Sequence, residues 1–217
     1  VTNTTGSYNS AFGGSALGLN TTGANNAALG YGAMTANTTG TNNTAVGFSS
    51  MSSNTTGSTN TALGNRALLS NISGNDNTAT GSHAMYSNTT GNNNTAQGRQ
   101  AMYYNTTGTG NTGIGMLSLY INDVGSSNSA LGYGSLNLNT SGSNNIGLGY
   151  ESLRNNTTAW SNAALGYRAM YNSTTGNANT AIGDSALVTN ITGANNVALG
   201  YRAGLTNATG SNNTLLG

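Results

Sequence analysis

Asn37–Ser53 reads NTTGTNNTAVGFSSMSS, and the chain repeats this 17-residue unit about thirteen times without an insertion or a deletion. Two columns of the repeat have no exception: a glycine, which returns from Gly13 to Gly217, and an asparagine four residues before it. Such strict spacing is typical of stacked repeats, in which each unit buries its apolar side against its neighbours. We therefore expect a single repeat domain over residues 1–217, with 13 near-complete repeats, as a segment of a longer fibrous protein.

The composition favours an ordered solenoid over a globular or a disordered chain. Hydrophobic residues make up 35% of the sequence and charged residues 4%, and the formal net charge is +1. Globular domains carry about 25% charged residues, whereas disordered chains combine low hydrophobicity with high net charge. A solenoid needs only a thin core in each coil, so it fits both the low hydrophobicity and the strict repeat.

Charge and hydropathy also exclude several partners. Five arginines without a lysine provide no basic surface for nucleic acid or for an anionic membrane. No run of about 18 apolar residues is available for membrane insertion. The sequence has no cysteine, so disulfide bonds cannot stabilise the fold.

Two columns of large residues predict the core. One strand lies between the repeated asparagine and glycine, as in Asn43–Gly47, and its fourth residue is aliphatic in most units. A second short strand is expected after the glycine, centred on a small residue, always Ala or Ser, and a large Leu or Met. No helical period of 3.6 residues is present. The predicted core residues are Leu29, Val46, Leu63, Leu131, Leu148 and Leu165 from the first column and Met34, Leu68, Met85, Leu136 and Leu187 from the second.

The remaining segment of each unit predicts a corner. Its consensus is Asn-Thr-Thr-Gly, as in Asn37–Gly40, and these residue types favour turns. Ala159 is the one replacement of the corner glycine, and if that position needs a left-handed backbone, the turn there should be strained.

These elements together predict an all-β chain: a parallel β-solenoid, or β-roll, of about thirteen coils. Stacked in register, the repeated asparagines form a structural ladder, a known stabiliser of stacked strands. The ladder residues are Asn9, Asn26, Asn43, Asn60, Asn77, Asn94, Asn111, Asn128, Asn145, Asn162, Asn179, Asn196 and Asn213.

Two segments, Asn43–Ser50 (NTAVGFSS) and Asn196–Ala203 (NVALGYRA), resemble the head repeats of trimeric autotransporter adhesins. The full 17-residue form with its Asn-Thr-Thr-Gly corner looks more like repeats of bacterial and phage-like tail-fibre-domain proteins. This resemblance covers the whole chain. It implies a left-handed parallel β-roll, three chains side by side in a fibre, and a surface-exposed adhesive or spacer role.

Energetics also favour association. A coil with one aliphatic residue and one Leu or Met has a thin core, and each ordered residue costs about 1–2 kcal/mol of backbone entropy. Packing the Ala and Ser columns of several chains together would bury more surface. We therefore expect self-association, as a homotrimer or as an open-ended filament.

The charged residues suggest no catalytic or metal site. Asp76, Asp123, Glu151 and Asp184 form no pair spaced for acid–base chemistry, and His83 is the one histidine. We expect no cofactor. Tyrosines that follow the repeated glycine could form a surface-binding stripe for a glycan or a protein, or they could pack between coils or chains. The stripe residues are Tyr31, Tyr133, Tyr150, Tyr167 and Tyr201.

The favoured function is an extracellular structural fibre or filament segment that provides reach, stiffness and surface adhesion. It would lie outside the cell, on the cell surface or in a virion fibre. The alternative is an ice-binding β-solenoid, suggested by the threonine-rich rows. Against that alternative, Thr38 and Thr39 are adjacent in sequence, so an extended chain would place them on opposite faces. We expect no enzymatic activity, because no polar constellation in the sequence breaks the repeat.

Overall fold

The computed structural model describes residues 3–217, and within that range it contains short strands joined by turns, with no helix. The chain divides into two compact units, Val1–Thr109 and Gly110–Gly217. Each 17-residue coil contributes one three-residue strand to its unit.

All neighbouring strands within a unit are parallel and pair in sequence order. Their register is uniform, so that Thr44, Ala45 and Val46 pair with the residues 17 positions later, Thr61, Ala62 and Leu63. The predicted all-β parallel solenoid with a 17-residue coil is thereby confirmed. The strands of the first unit are β1 (Ser10–Phe12), β2 (Ala27–Leu29), β3 (Thr44–Val46), β4 (Thr61–Leu63), β5 (Thr78–Thr80) and β6 (Thr95–Gln97). Those of the second are β7 (Thr112–Ile114), β8 (Ser129–Leu131), β9 (Ile146–Leu148), β10 (Ala163–Leu165), β11 (Thr180–Ile182), β12 (Val197–Leu199) and β13 (Thr214–Leu216).

The first predicted core column is wrong, because it faces outward. In β3 the middle residue, Ala45, is fully buried, whereas Thr44 and Val46 on either side are half-buried. The same alternation runs through both units, since successive side chains of a strand point to opposite faces. Leu29, Leu63, Leu131 and Leu165 are exposed, at 48%, 38%, 45% and 47%, and Val46 and Leu148 are half-buried.

The second predicted core column is buried as expected. Met34, Leu68, Met85, Leu136 and Leu187 are all 0% exposed. The small residue before each of them is also buried inside its own coil, so it is not available for packing against another chain as we expected.

The coil interior is too thin for two large residues. A Cβ placed on Gly147, in the middle of β9, would lie only 2.5 Å from Ser135 Oγ and 3.0 Å from Ser152 Oγ. The strand and the turns that face it, which contain Ser135 and Ser152, are therefore separated by only about the width of one methyl group. The middle strand position therefore has room only for a small residue, glycine at Gly147 and alanine in most other coils, and the larger aliphatic residue lies on the outside.

The second short strand predicted after the glycine is absent from residues 3–217. Turns take its place, and the large buried residue adopts a left-handed backbone, with φ of 51° at Met34 and 52° at Leu68. A non-glycine residue in this region costs roughly 1–2 kcal/mol, whereas burying a Leu or Met side chain contributes about 1.5–3 kcal/mol. At each of these residues, burial of the side chain therefore outweighs the strain of its own backbone.

The two glycine columns are required for different reasons. The glycine that ends each strand has φ between 121° and 141°, as at Gly47 (131°), which disfavours any side chain. The corner glycine Gly40 has no positive φ, but a Cβ on it would lie 2.4 Å from Gly57 O and 2.5 Å from Asn37 Oδ1. Lack of space, and not a left-handed backbone, therefore favours glycine at the corner.

Candidate functional site

The predicted asparagine ladder runs through the interior of each unit. The backbone N–H of Asn43 donates to Asn26 Oδ1 at 3.0 Å, and Asn60 N–H donates to Asn43 Oδ1 at 2.9 Å. The Nδ2 group of most ladder asparagines also donates to the carbonyl of the corner glycine in the next coil, at 2.8 Å from Asn26 to Gly40, and Asn145 donates to Ala159 O in the same way. All ladder residues from Asn26 to Asn196 are buried, while Asn9 and Asn213 are half-buried. Their side chains are committed to the fold and are not free to bind a ligand.

A second ladder, which sequence reasoning interpreted only as a turn, consists of the corner asparagines. Asn37 Nδ2 donates to Asn20 Oδ1 at 2.7 Å and to Gly40 O at 3.1 Å. Gly40 O thus accepts from both ladders, which joins the corner to the strand. The signal in the sequence was the near-invariant asparagine before each Thr-Thr-Gly, at a position where serine would serve equally well in an ordinary turn.

The corner ladder is interrupted where serine replaces asparagine. Asn156 Oδ1 and Ser173 Oγ are buried there and have no hydrogen-bond partner within residues 3–217. Asn190 Oδ1 also has no partner, but its donor would be Asn207, whose Nδ2 donates to Gly210 O instead. Asn156 still donates to Ala159 O, at 3.2 Å. Ala159 is itself buried and does not have a positive φ, so the expected left-handed strain does not arise there.

The outward face of each sheet carries a row of exposed apolar side chains, which we call the strand-face row. It consists of the third residue of every strand. In the second unit the row is aliphatic throughout, with Ile114, Leu131, Leu148, Leu165, Ile182, Leu199 and Leu216. In the first unit Thr80 and Gln97 end the row after Phe12, Leu29, Val46 and Leu63.

The predicted tyrosine stripe is divided into separate groups. Tyr133, Tyr150 and Tyr167 stack on one another, with ring centroids 5.2 and 5.5 Å apart. In the other unit Tyr31 stacks on Phe48 at 5.8 Å. Tyr201 has no tyrosine in the coil before it, because Asp184 holds the corresponding position.

Stacking leaves the tyrosines half exposed but covers their faces. Tyr150 is 44% exposed, yet one ring lies against each of its two faces. Desolvation, followed by the charge of Glu151, raises the pKa of its hydroxyl. Sugar rings that stack on aromatic faces therefore cannot reach Tyr150, although its edge and hydroxyl remain accessible. This geometry favours packing between coils as the main role of the stack.

One group of charged and aromatic residues departs from the repeat, and we call it the Arg–Glu cluster. Glu151 and Arg154 belong to one coil, and Arg168 and Tyr171 occupy the corresponding positions in the next coil. Arg168 Nε donates to Glu151 Oε2 at 2.8 Å, and Arg154 Nε lies 3.4 Å from Glu151 Oε1. Both guanidinium groups lie over the Tyr171 ring, 5.1 and 5.7 Å from its centroid.

The Glu151 carboxylate holds both guanidinium groups in place. Its side chain is 10% exposed, whereas those of Arg154 and Arg168 are 33% and 43% exposed. The hydrogen bond from Arg168 to Glu151 raises the pKa of Arg168 above its ordinary value. Sequence reasoning missed the cluster because it compared acidic residues only with each other. The 17-residue offset between Glu151 and Arg168 was the available signal.

The described part of the chain contains neither a cluster of candidate metal ligands nor a helix that could span a membrane. Within residues 3–217 no three His, Asp or Glu side chains come together as metal ligands, and no helix has the length and hydropathy to cross a bilayer. His83 instead accepts or donates one hydrogen bond with Ser82 Oγ at 2.8 Å and stacks on Tyr86. Comparisons with protein-family models and with curated proteins found no match to this chain.

Proposed function

We propose that this chain is a segment of an extracellular structural fibre that associates side by side with copies of itself and provides reach, stiffness and surface adhesion. The observation that supports association is the strand-face row. Folded monomers rarely expose contiguous apolar patches larger than about 300–600 Å², and here the row continues through every strand of the second unit. A cell surface or a virion fibre is the setting that fits such a segment.

Three chains are the expected number, by the resemblance of the repeat to trimeric adhesin heads. The contact surface differs from the one expected from sequence, because the Ala and Ser columns lie inside the coil and the aliphatic residues lie outside. Association through the strand-face row would bury residues such as Leu131 and Leu165, which are 45% and 47% exposed in the single chain. Each buried aliphatic side chain contributes up to about 1.5–3 kcal/mol.

Particle mass and shape test this proposal. We expect mass photometry of the natural protein to give a threefold mass and electron micrographs to show thin rods. Open-ended filaments would show that the chains form a repeating assembly and not a trimer. A monodisperse folded monomer at micromolar concentration would contradict association altogether.

Paired variants test the surface itself. Leu131→Glu combined with Leu165→Glu places two charges on the strand-face row and should yield a folded monomer. The matched control is Val124→Glu combined with Ile191→Glu, because these side chains are similarly exposed, at 48% and 44%, but lie at the corner. Equal dissociation by both pairs would mean that the strand-face row is not the interface.

A second candidate function, ice binding, rests on a row of threonines at the first position of the strands. Thr44, Thr61, Thr78 and Thr95 are half-buried or exposed and follow one another in register. This row lies on the outward face of consecutive strands, unlike the adjacent threonines of the corner. Ice binding would be supported if the natural protein shows thermal hysteresis and if Thr61→Val combined with Thr78→Val abolishes it. Ordinary freezing of a solution of the natural protein would exclude ice binding.

A further inference from the structure

The Arg–Glu cluster brings two arginines and one glutamate together on a surface that carries few other charges. The sequence contains five arginines and four acidic residues in all, and the two ion pairs of the described residues both involve Glu151. Exposed ion pairs contribute little to stability, and the other coils stack without them. A stabilising role alone therefore does not explain why this coil pair departs from the repeat.

The geometry leaves guanidinium donors available on the outside of the cluster. Glu151 engages the Nε edge of Arg168 and lies beside the Nε edge of Arg154. The Nη1 group of Arg154 makes only long contacts, at 3.3 Å to Tyr171 and 3.4 Å to Asn155. The Nη groups of Arg168 have no partner within residues 3–217, and its side chain is 43% exposed. Planar N–H forks of this kind recognise carboxylate and sulfate groups.

Charge and preorganisation both favour an anion. Two guanidinium groups and one carboxylate leave a net positive charge, and the contact with Glu151 together with the Tyr171 ring restrict both arginines before a ligand arrives. Less side-chain entropy is then lost on binding. The covered faces of Tyr133, Tyr150 and Tyr167 are not needed for this kind of contact.

The surroundings are suited to sugar hydroxyls. Asn155 and Asn172 lie side by side next to the cluster, with Asn155 Nδ2 3.4 Å from Asn172 Oδ1, and both are partly exposed. Tyr150, whose ring edge and hydroxyl are accessible, belongs to the same coil as Glu151. Nucleic acid is disfavoured because it would need a more extended basic surface than two arginines supply.

We propose that the Arg–Glu cluster binds the carboxylate or sulfate groups of an acidic polysaccharide, with Arg154 and Arg168 as the anion-binding residues and Glu151 as the residue that positions them. This inference deepens the adhesive part of the proposed function. It does not depend on the number of associated chains.

Binding to immobilised polymers tests the site. We expect the natural protein to bind polygalacturonate or dextran sulfate, with neutral dextran as the blank, and the preferred polymer distinguishes carboxylate from sulfate. Arg154→Gln combined with Arg168→Gln should weaken that binding at least tenfold. Arg202→Gln is the matched control, because Arg202 occupies the same repeat position as Arg168 and lies 5.1 Å from the Tyr201 ring centroid; it should change the affinity less than twofold.

Glu151→Gln separates ligand binding from a merely structural cluster. Removing the carboxylate releases both guanidinium groups from their fixed positions, so polymer binding at physiological salt should weaken severalfold even though the local positive charge rises; equal or tighter binding would show that Glu151 does not position the arginines. Absence of binding to both acidic polymers, equal binding after the double arginine change, or equally tight binding of a DNA duplex would overturn the proposal. Circular dichroism and particle mass of each variant show whether it is folded and associated, so loss of this site is distinguishable from failure of the fibre proposal.

Discussion

Single residues decide whether a coil takes part in the corner ladder, and Ala159 and Ser173 illustrate how. Each is the one exception in its column of the repeat. In the two preceding coils a Cβ on the corner glycine, Gly125 or Gly142, would lie 2.7 or 2.8 Å from the asparagine Nδ2 of the following coil. Ala159 carries such a Cβ, and the corresponding residue of its following coil is Ser173, whose shorter side chain avoids it. We infer that the two exceptions compensate for each other.

A double-mutant cycle tests this compensation. Ser173→Asn alone brings an amide against the Ala159 methyl group and should lower the melting temperature. Combined with Ala159→Gly, the same change completes the ladder and gives Asn156 Oδ1 a donor, so the double variant should be more stable than the natural chain. The unfolding free energies should deviate from additivity by about 1 kcal/mol or more. Thermal and urea unfolding of the four proteins measure this coupling, and additive effects would show that the two positions are independent.

For the elements, sequence predicts where the strands lie but not which of their residues face inward. The strands, the asparagine ladder and the Leu/Met column are predictable because the same residue types recur at each position. Orientation is not, since a three-residue strand such as Thr44–Val46 alternates only once and carries an apolar residue on each face. The width of the coil decides which strand residues face inward. That width depends on how the strand packs against the turns opposite it, and the sequence of the strand alone does not show it.

The turns after the strand were unpredictable for a related reason. Leu and Met strongly disfavour a left-handed backbone, so local preference indicated an extended segment at Met34 and Leu68. Their burial, at 0% exposure, depends on contacts with other coils and overrides that preference. The Arg–Glu cluster, in contrast, could have been found from the 17-residue offset between Glu151 and Arg168, and it was missed because the acidic residues were compared only with each other.

The strand ladder should be the most sensitive element to a small change. Asn60→Ala removes the donor to Gly74 O and the acceptor of the Asn77 N–H, both of which are buried. Gly74 O keeps Asn71 Nδ2 as a donor, so only the Asn77 N–H loses its partner. A buried polar group without a partner costs about 1–3 kcal/mol, so we expect a loss of about 1–3 kcal/mol in unfolding free energy. Thr39→Ala, at an exposed corner position, should change it by less than about 0.5 kcal/mol. Similar values for both variants in chemical denaturation would mean that the ladder contributes little.

Over the whole molecule, stability is built from contacts between neighbouring coils. The strands pair only with the strand before and the strand after them, as β3 does with β2 and β4. Such a chain behaves approximately as a one-dimensional array of coupled units. Damage in one coil should therefore weaken its neighbours more than distant coils.

Hydrogen exchange with Leu68→Ala tests this locality. The change leaves a cavity in a fully buried position and should cost about 2–5 kcal/mol. Faster exchange is expected for amides of β3, β4 and β5, whereas amides of β11 and β12 should keep their rates. Uniformly faster exchange would instead indicate that the chain unfolds as one cooperative unit.

The uniform register has a consequence for inheritance. Each coil presents to the next coil the same backbone edge that it receives from the previous one, as the pairing of Thr44 with both Ala27 and Thr61 illustrates. Recombination that duplicates or deletes one whole coil therefore preserves the backbone pairing of the remaining coils, while an insertion of a single residue in a strand would reverse its faces. Chain length can then vary among descendants in steps of 17 residues, and each step adds about 4.8 Å. The number of coils that a descendant inherits therefore determines how far its chain extends.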